Sequence, residues 1–592
     1  MNVPSGAEEV LWDLGDLYSG GSDPRLEKDL SESTKRAESF ASSYRGRIAA
    51  LGAPELARLL QEYEQILELS GKTGTFAYLH WSTNTEDPAR GALLQRLQEH
   101  TSQLQQQLLF FELEWAHVKD KRAQEVMIDP ALAHYRFWLT LARRYRPHLR
   151  SEAEEKILAE KAVTGRNAWI RFFEEVHSGA RYTLEGEELP QQSVLTKLYE
   201  PDRTQRQRAA EAFTAGLQNM RRVNTYVFNN LLADKASDDR LRSYPTWISA
   251  RNLANQIDDS TVDALVQAVR GRYGIVARYY TLKKKLLRLE ELFDYDRYAP
   301  LPTANRRYQW QEAKQMVLEA YSGFHPEMGE IAVSFFKKNW IDAAVLPGKR
   351  GGAYSHGAVP SVHPYIFMNF EGTPRHVMTL AHEMGHGVHQ YLSREQGILS
   401  ADTPLTTAET ASVFGEMLVF QKLMAVEKDP QVRLSMLVQK IEDTFATVFR
   451  QAAMNRFEEA IHEARRSEGE LTTDRFNELW MKTQKEMFDG SVTLTDDYSI
   501  WWSYIPHFIH SPGYVYAYAF GELLVLALYA RYQESATSFP PAYRDLLAGG
   551  GSNWPEELVR PLGVDLKDPS FWDKGLGMIE EFVEQAEGMA KV

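Results

Sequence analysis

Apolar residues recur at three- and four-residue steps through most of this chain, so its interior has to be assembled from helices. Residues 53–70 carry Leu56, Leu59, Leu60, Tyr63, Ile66 and Leu67 at that spacing, and residues 90–118 continue it with Leu93, Leu94, Leu97, Leu104, Leu108 and Leu109. Residues 203–235, 260–290 and 308–322 repeat the pattern, and 573–592 reads as a closing helix. Two stretches break it. Ala180–Leu189 alternates around Gly186, which predicts a short hairpin. Residues 347–373 are rich in Gly, Pro and Ser and enclose Pro364–Phe370, a short aromatic and β-branched run that predicts a strand. The expected fold is therefore mainly α with a small sheet. A soft boundary between Leu189 and Asp202 divides an N-terminal helical lobe, 1–195, from a larger region, 196–592.

The 592 residues include 81 acidic and 67 basic side chains, a net charge of −14, which disfavours a nucleic-acid binder. There is no cysteine, so disulfides, thiolate metal sites and cysteine nucleophiles are excluded and any metal has to be held by His, Asp or Glu. The first 18 residues carry Glu8, Glu9 and Asp13 where a secretory signal would be basic and then apolar. Tyr498–Gly521 has no Asp, Glu, Lys or Arg, but its prolines, histidines and tyrosines suit a buried or site-lining segment better than a membrane span. A cytoplasmic location without membrane association is expected.

The chemistry concentrates at His382-Glu383-Met384-Gly385-His386. Thr373-Pro374 is a helix start and Gly397 a stop. Between them Val377, Leu380, Ala381, Met384, Val388, Tyr391 and Leu392 form one apolar stripe, so the motif lies on a half-buried helix. His382 and His386 are one turn apart and point the same way, a spacing at which two imidazoles can grip one zinc ion. Glu383 sits about 100° round the helix, where a general base for an activated water belongs.

A third protein ligand is expected. The position ten residues after His382 is Leu392, so it is not a third histidine there. Glu395 is out of phase and roughly 13 Å along the helix axis, too far to help. Thr403-Pro404 begins another helix that carries Glu409 and Glu416 seven residues apart, on one face. Glu409, nearer the helix start, is the favoured ligand; Glu416 or Ser412 would orient a histidine N–H. His389 reads as a supporting or substrate-side group. Ile505–Gly521 offers His507, His510, Tyr514, Tyr516 and Tyr518 as hydrogen-bond donors for a developing oxyanion. The glycine-rich stretch 348–357, with His356, would line a cleft, and 364–370 could pair with an extended peptide.

These pieces in combination resemble the oligoendopeptidase F family, relatives of thimet oligopeptidase and neurolysin. The resemblance rests on Trp12-Asp13-Leu14 with Leu17-Tyr18, on Gly351-Gly352-Ala353-Tyr354-Ser355, on the run from Pro364 through His389 to Glu409, Ser412 and Glu416, and on Pro506-His507-Phe508 with Tyr514, Tyr516 and Tyr518. It implies two helical lobes around a deep channel and a small sheet near the motif helix. The implied activity is zinc-dependent endopeptidase cleavage of short unfolded peptides. His382, His386 and Glu409 match the zinc ligands, with one ion per chain, and Glu383 matches the base. The catalytic donors fall within 507–518, with His510, Tyr514 and Tyr518 preferred. A zinc carboxypeptidase or dipeptidase is the alternative activity, a peptide-binding protein without turnover the alternative class. Oligomeric state stays open.

Overall fold

A computed structural model describes residues 4–301 and 306–590; the first three residues of the N-terminal reading and the last two of the closing helix lie outside them. Helices dominate, and the strands among these residues form only two small sheets. The helical readings hold with shifted ends. The first runs Ala53–Ser82, longer than expected, because Gly71 lies within the helix and packs against Val359 instead of ending it. The others run Pro88–His117, Arg203–Arg242 and Trp310–Phe324. The region 260–290 is two helices, Asp259–Gly271 and Tyr273–Leu286, with a break at Arg272. The closing helix begins earlier than expected, at Pro569 behind the cap Asp568.

The chain divides into two units, each discontinuous in sequence. The first comprises Met1–Arg146, Arg306–Val426 and Arg531–Asp565; the second comprises Pro147–Asn305, Glu427–Ala530 and Leu566–Val592. A core of the first unit gathers Phe40, Leu59, Phe111, Trp115 and Leu139. In the second, Phe213, Trp480, Trp501 and Trp502 are packed together. Each such side chain, fully withdrawn from water, contributes roughly 1.5–3 kcal/mol. The hairpin forms in the second unit, Tyr182–Leu184 antiparallel to Glu187–Leu189.

The other sheet belongs to the first unit. Tyr365–Phe367 is its central strand, parallel to Ile341–Asp342 and antiparallel to Tyr354–His356. All three residues of the central strand are buried, which explains an apolar run without alternation. The glycine-rich loop before it is tied down by Lys349. Its buried ammonium donates to Asp342 Oδ1 at 2.5 Å and to the carbonyls of Ala344 and Met368 at 2.7 Å each. A buried charge is tolerable only with such a full set of partners.

Candidate functional site

The motif helix spans Pro374–Ser393, and Thr373 caps it by accepting from the His376 amide at 3.3 Å. It continues as a single tight turn to Gln396, and Gly397 at φ +75° ends it. Its partner is the helix Thr410–Val426. The two backbones approach closely at two glycines. A Cβ on Gly385 would meet Ser412 Cα at 2.6 Å, and one on Gly415 would lie 3.0 Å from Ala381 O and 2.8 Å from Tyr321 Cζ. Tyr321 fills the gap beside them and donates its hydroxyl to Ala381 O at 2.9 Å. Only glycine permits this approach, and the approach brings Glu409, just before the partner helix, and Glu416, on it, within reach of the motif histidines.

Three donor atoms then converge. His382 Nε2 and His386 Nε2 are 3.2 Å apart, and each is 3.4 Å from Glu409 Oε2. The three edges are nearly equal. A tetrahedron with bonds of roughly 2.0–2.1 Å has edges of about 3.3 Å, so this triangle fits one face of a tetrahedral zinc site. Glu409 is not on one continuous helix with Glu416, as the sequence suggested. It closes the short helix Leu405–Ala408, and the next helix begins after it. This break turns Glu409 toward Nε2 of both histidines, while Glu416 accepts from Nδ1 of His382 at 2.5 Å. Ser412 donates to Glu409 Oε2 at 2.7 Å.

The electrostatics fit a cation-binding cluster. Burial opposes charging His382, yet Glu416, then Glu409 and Glu383, carry it up to about 9. Burial also opposes ionising Glu409, but His386, His382 and Ser412 hold it well below the usual carboxylate range. Glu383 is 6 % exposed, and its Oε2 has no hydrogen-bond partner among the described residues. Burial raises its pKa while His382 and His386 pull the other way. It is a buried carboxylate that feels both motif histidines and lies outside the donor triangle.

The remaining candidates separate. His389 is buried, pushed down to about 3, and lies outside the group of three donors. His356 stands on the edge strand, where its Nδ1 accepts from the Ala358 amide at 3.0 Å and burial pushes it down to about 4. That strand is tied to the motif helix by Ser355, which donates to Gln390 at 2.8 Å.

In the second unit His507, Tyr514 and Tyr518 form one cluster. His507 Nε2 is 3.3 Å from the Tyr518 hydroxyl, the His507 ring is parallel to that of Tyr514, and the two tyrosine rings are edge to face at 5.0 Å. His510, preferred from the sequence, is the one left out. Its Nε2 faces Glu174 at 3.5 Å, because the single turn His507–His510 sends the two rings in different directions. Tyr516 stands apart from this cluster: it is fully buried and its hydroxyl accepts from Asn255 at 2.9 Å. The turn Ser511–Tyr514 has Pro512 and then Gly513 at φ +73° in its centre, the type II arrangement. Buried Glu458 accepts the Gly513 amide at 2.9 Å. The sequence reading missed Tyr321, Gly385, Gly415 and Glu458. The glycines stood in or near the motif, but a close approach becomes visible only when the partner helix is in place.

Comparisons with known proteins bear on the family and the fold. A family model described as Peptidase family M3 matches residues 196–578, and one described as Oligopeptidase F matches 114–182. Oligopeptidase PepF of Bacillus subtilis is 28 % identical over 98 % of this chain and 87 % of its own. Group B oligopeptidase PepB of Streptococcus agalactiae is 25 % identical over 98 % and 97 %. A crystal structure of a putative peptidase from Chlamydophila abortus superposes with a TM-score of 0.88 at 23 % identity, covering 98 % of each chain. An oligoendopeptidase-F from Enterococcus faecium gives 0.70 at 23 % identity, over 96 % of this chain and 98 % of that one.

Proposed function

The chain belongs to peptidase family M3, and from that premise we propose that it is a zinc endopeptidase acting on short unfolded peptides, with His382, His386 and Glu409 as metal ligands and Glu383 as general base. The observation that carries the reading is the donor triangle with edges of 3.2, 3.4 and 3.4 Å beside a buried carboxylate. The preference for short peptides is supported by relatives whose names are oligopeptidases.

When bound there, zinc supplies a Lewis acid that eases deprotonation of a water and polarises a carbonyl. The chain's own part is positional. His382, its Nδ1–H engaged by Glu416, presents Nε2 in the ligating tautomer. Glu383 Oε2, without a competing partner, takes the proton of the attacking water and returns it to the leaving nitrogen. Among the donors that the resemblance places within 507–518, His507 and Tyr518 are proposed as donors to the substrate's main-chain oxygen on their mutual contact. The division into an N-terminal segment, 1–195, and a peptidase region, 196–592, belongs to the same proposal, supported by the family match that begins at residue 196. No helix among the described residues is long and apolar enough to cross a membrane. A cytoplasmic location is proposed, and cell fractionation tests it.

Glu383→Gln should keep its metal, measured by atomic emission, while turnover of a quenched peptide falls roughly 10²–10⁴-fold. Unchanged turnover removes Glu383 from its role. Cleavage of a peptide blocked at both ends is expected and distinguishes an endopeptidase from an exopeptidase.

A further inference from the structure

A cavity of about 120 Å³ in the second unit takes no part in the chemistry above. Two guanidinium groups, Arg297 and Arg450, face it. Arg297 is 6 % exposed; its Nε donates to the Asp294 carbonyl at 3.0 Å and its Nη2 to the Tyr498 hydroxyl at 3.3 Å. Arg450 Nη1 donates to the Tyr298 hydroxyl at a long 3.4 Å. Neither arginine has a carboxylate within ion-pair distance among the described residues, so two like charges share one space with phenols as their partners. A cation set among neutral partners leaves a positive potential that favours an anion.

Two acids, Glu442 and Asp443, line the same space, and each is engaged with a group other than the two arginines. Glu442 accepts from the Tyr279 hydroxyl at 2.5 Å and is paired with the fully buried ammonium of Lys283. Asp443 is exposed and accepts from Gln439 at 3.0 Å. The Asp294 carboxylate is taken by the Thr495 amide and hydroxyl at 3.1 and 3.0 Å. Tyr298 responds to the imbalance. Burial pushes its phenol up, but Arg450 and then Arg297 outweigh that and bring it below the ordinary range. Val276, Phe445, Phe449, Met487 and Phe488 give the wall an apolar side, beside the phenols of Tyr199, Tyr280 and Tyr298. A space of this size accommodates a handful of heavy atoms.

We propose that this cavity is a binding site for a small monocarboxylate with a short apolar tail, its carboxylate held by Arg297 and Arg450 and its tail by the phenylalanine and methionine wall. Planar guanidinium forks suit a carboxylate, and the wall distinguishes a tailed acid from a bare halide. None of its residues is a proposed metal ligand or a member of the His507 cluster, although the Arg450 charge is felt at His507.

The test uses the full-length protein and butyrate as the probe. Butyrate should raise the thermal unfolding midpoint saturably, acetate should do so less, and neutral butyramide should not. Chloride at matched ionic strength should give no comparable shift. Arg450→Met should weaken butyrate binding roughly tenfold to a hundredfold, the usual worth of a hydrogen bond to a charged group. If that variant fails to fold, saturation-transfer NMR on the wild type decides: magnetisation should reach the butyrate methyl and be competed away by propionate but not by butyramide. An equal shift with chloride, an undiminished shift in Arg450→Met, or no transfer to butyrate overturns the proposal.

Discussion

His382 uses both ring nitrogens, Nδ1 toward Glu416 and Nε2 toward the donor triangle. Removing the outer partner leaves the ligand set intact but frees its tautomer and orientation. Glu416→Ala should therefore weaken metal binding about 10–100-fold in a buffered titration, with turnover recovering at saturating metal; unaltered affinity would mean that Glu416 only packs. In the other cluster the contrasts are paired. His507→Ala and Tyr518→Phe should lower turnover by about 10²–10³-fold if each supplies a donor to the developing charge. His510→Ala and Tyr516→Phe should leave it within a small factor, although the second loses its bond to Asn255 and about 1 kcal/mol of stability. The opposite ranking in steady-state assays would return the role to His510. The sequence supplied five candidates here, because residue types and a proline-glycine turn are visible in it. The direction of each ring is not, since it depends on where one short helical turn begins.

At the scale of elements, the motif helix and its partner work as a pair whose spacing is set by Gly385, Gly415 and Tyr321. Gly415→Ala drives a methyl into the Tyr321 ring and the Ala381 carbonyl. It should cost about 1–3 kcal/mol by overpacking and, by moving Glu409 and Glu416, lower metal occupancy in the same preparation. A stable variant with full occupancy would show that the helices can separate without disturbing the ligands. The apolar stripe, the Thr373-Pro374 start and the Gly397 stop predicted the motif helix closely, because those signals are local. The break at Glu409 escaped notice. Nothing in Leu405–Phe414 forbids a continuous helix, and only packing against the motif helix shows why the chain restarts at Thr410.

At the scale of the whole molecule, all the metal donors belong to the first unit. Chelation should therefore speed hydrogen exchange in Pro374–Val426 and leave Arg203–Arg242, in the second unit, unchanged; at a metal concentration about a thousand times Kd the lost stabilisation is about 4 kcal/mol. Equal acceleration in both segments would contradict a local site. The second unit carries its own pH dependence. Burial pushes Glu458 up to about 8, whereas an unfolded glutamate titrates near 4.3. Between those values the folded chain holds a proton that the unfolded chain has released, so stability falls as pH rises from about 4.3 to 8 and levels off beyond. Glu458→Gln removes this loss, and its unfolding midpoint should gain on the wild type across that interval. A constant difference between the two would show that Glu458 does not titrate there.

By itself the sequence determined the helical class, the motif helix, and a set of imidazole and carboxylate donors able to hold a metal ion. These follow from short-range periodicity, from the absence of cysteine, and from the one-turn spacing of His382 and His386. Only the tertiary structure decided which carboxylate meets Nε2 and which meets Nδ1, that His507 and not His510 joins the tyrosines, and that two arginines far apart in sequence share one cavity. The second of these depends on where one short helical turn begins, and the first and last on side chains brought together from separate segments. Their relative positions are fixed by close backbone approach and buried polar partners, which no local pattern encodes.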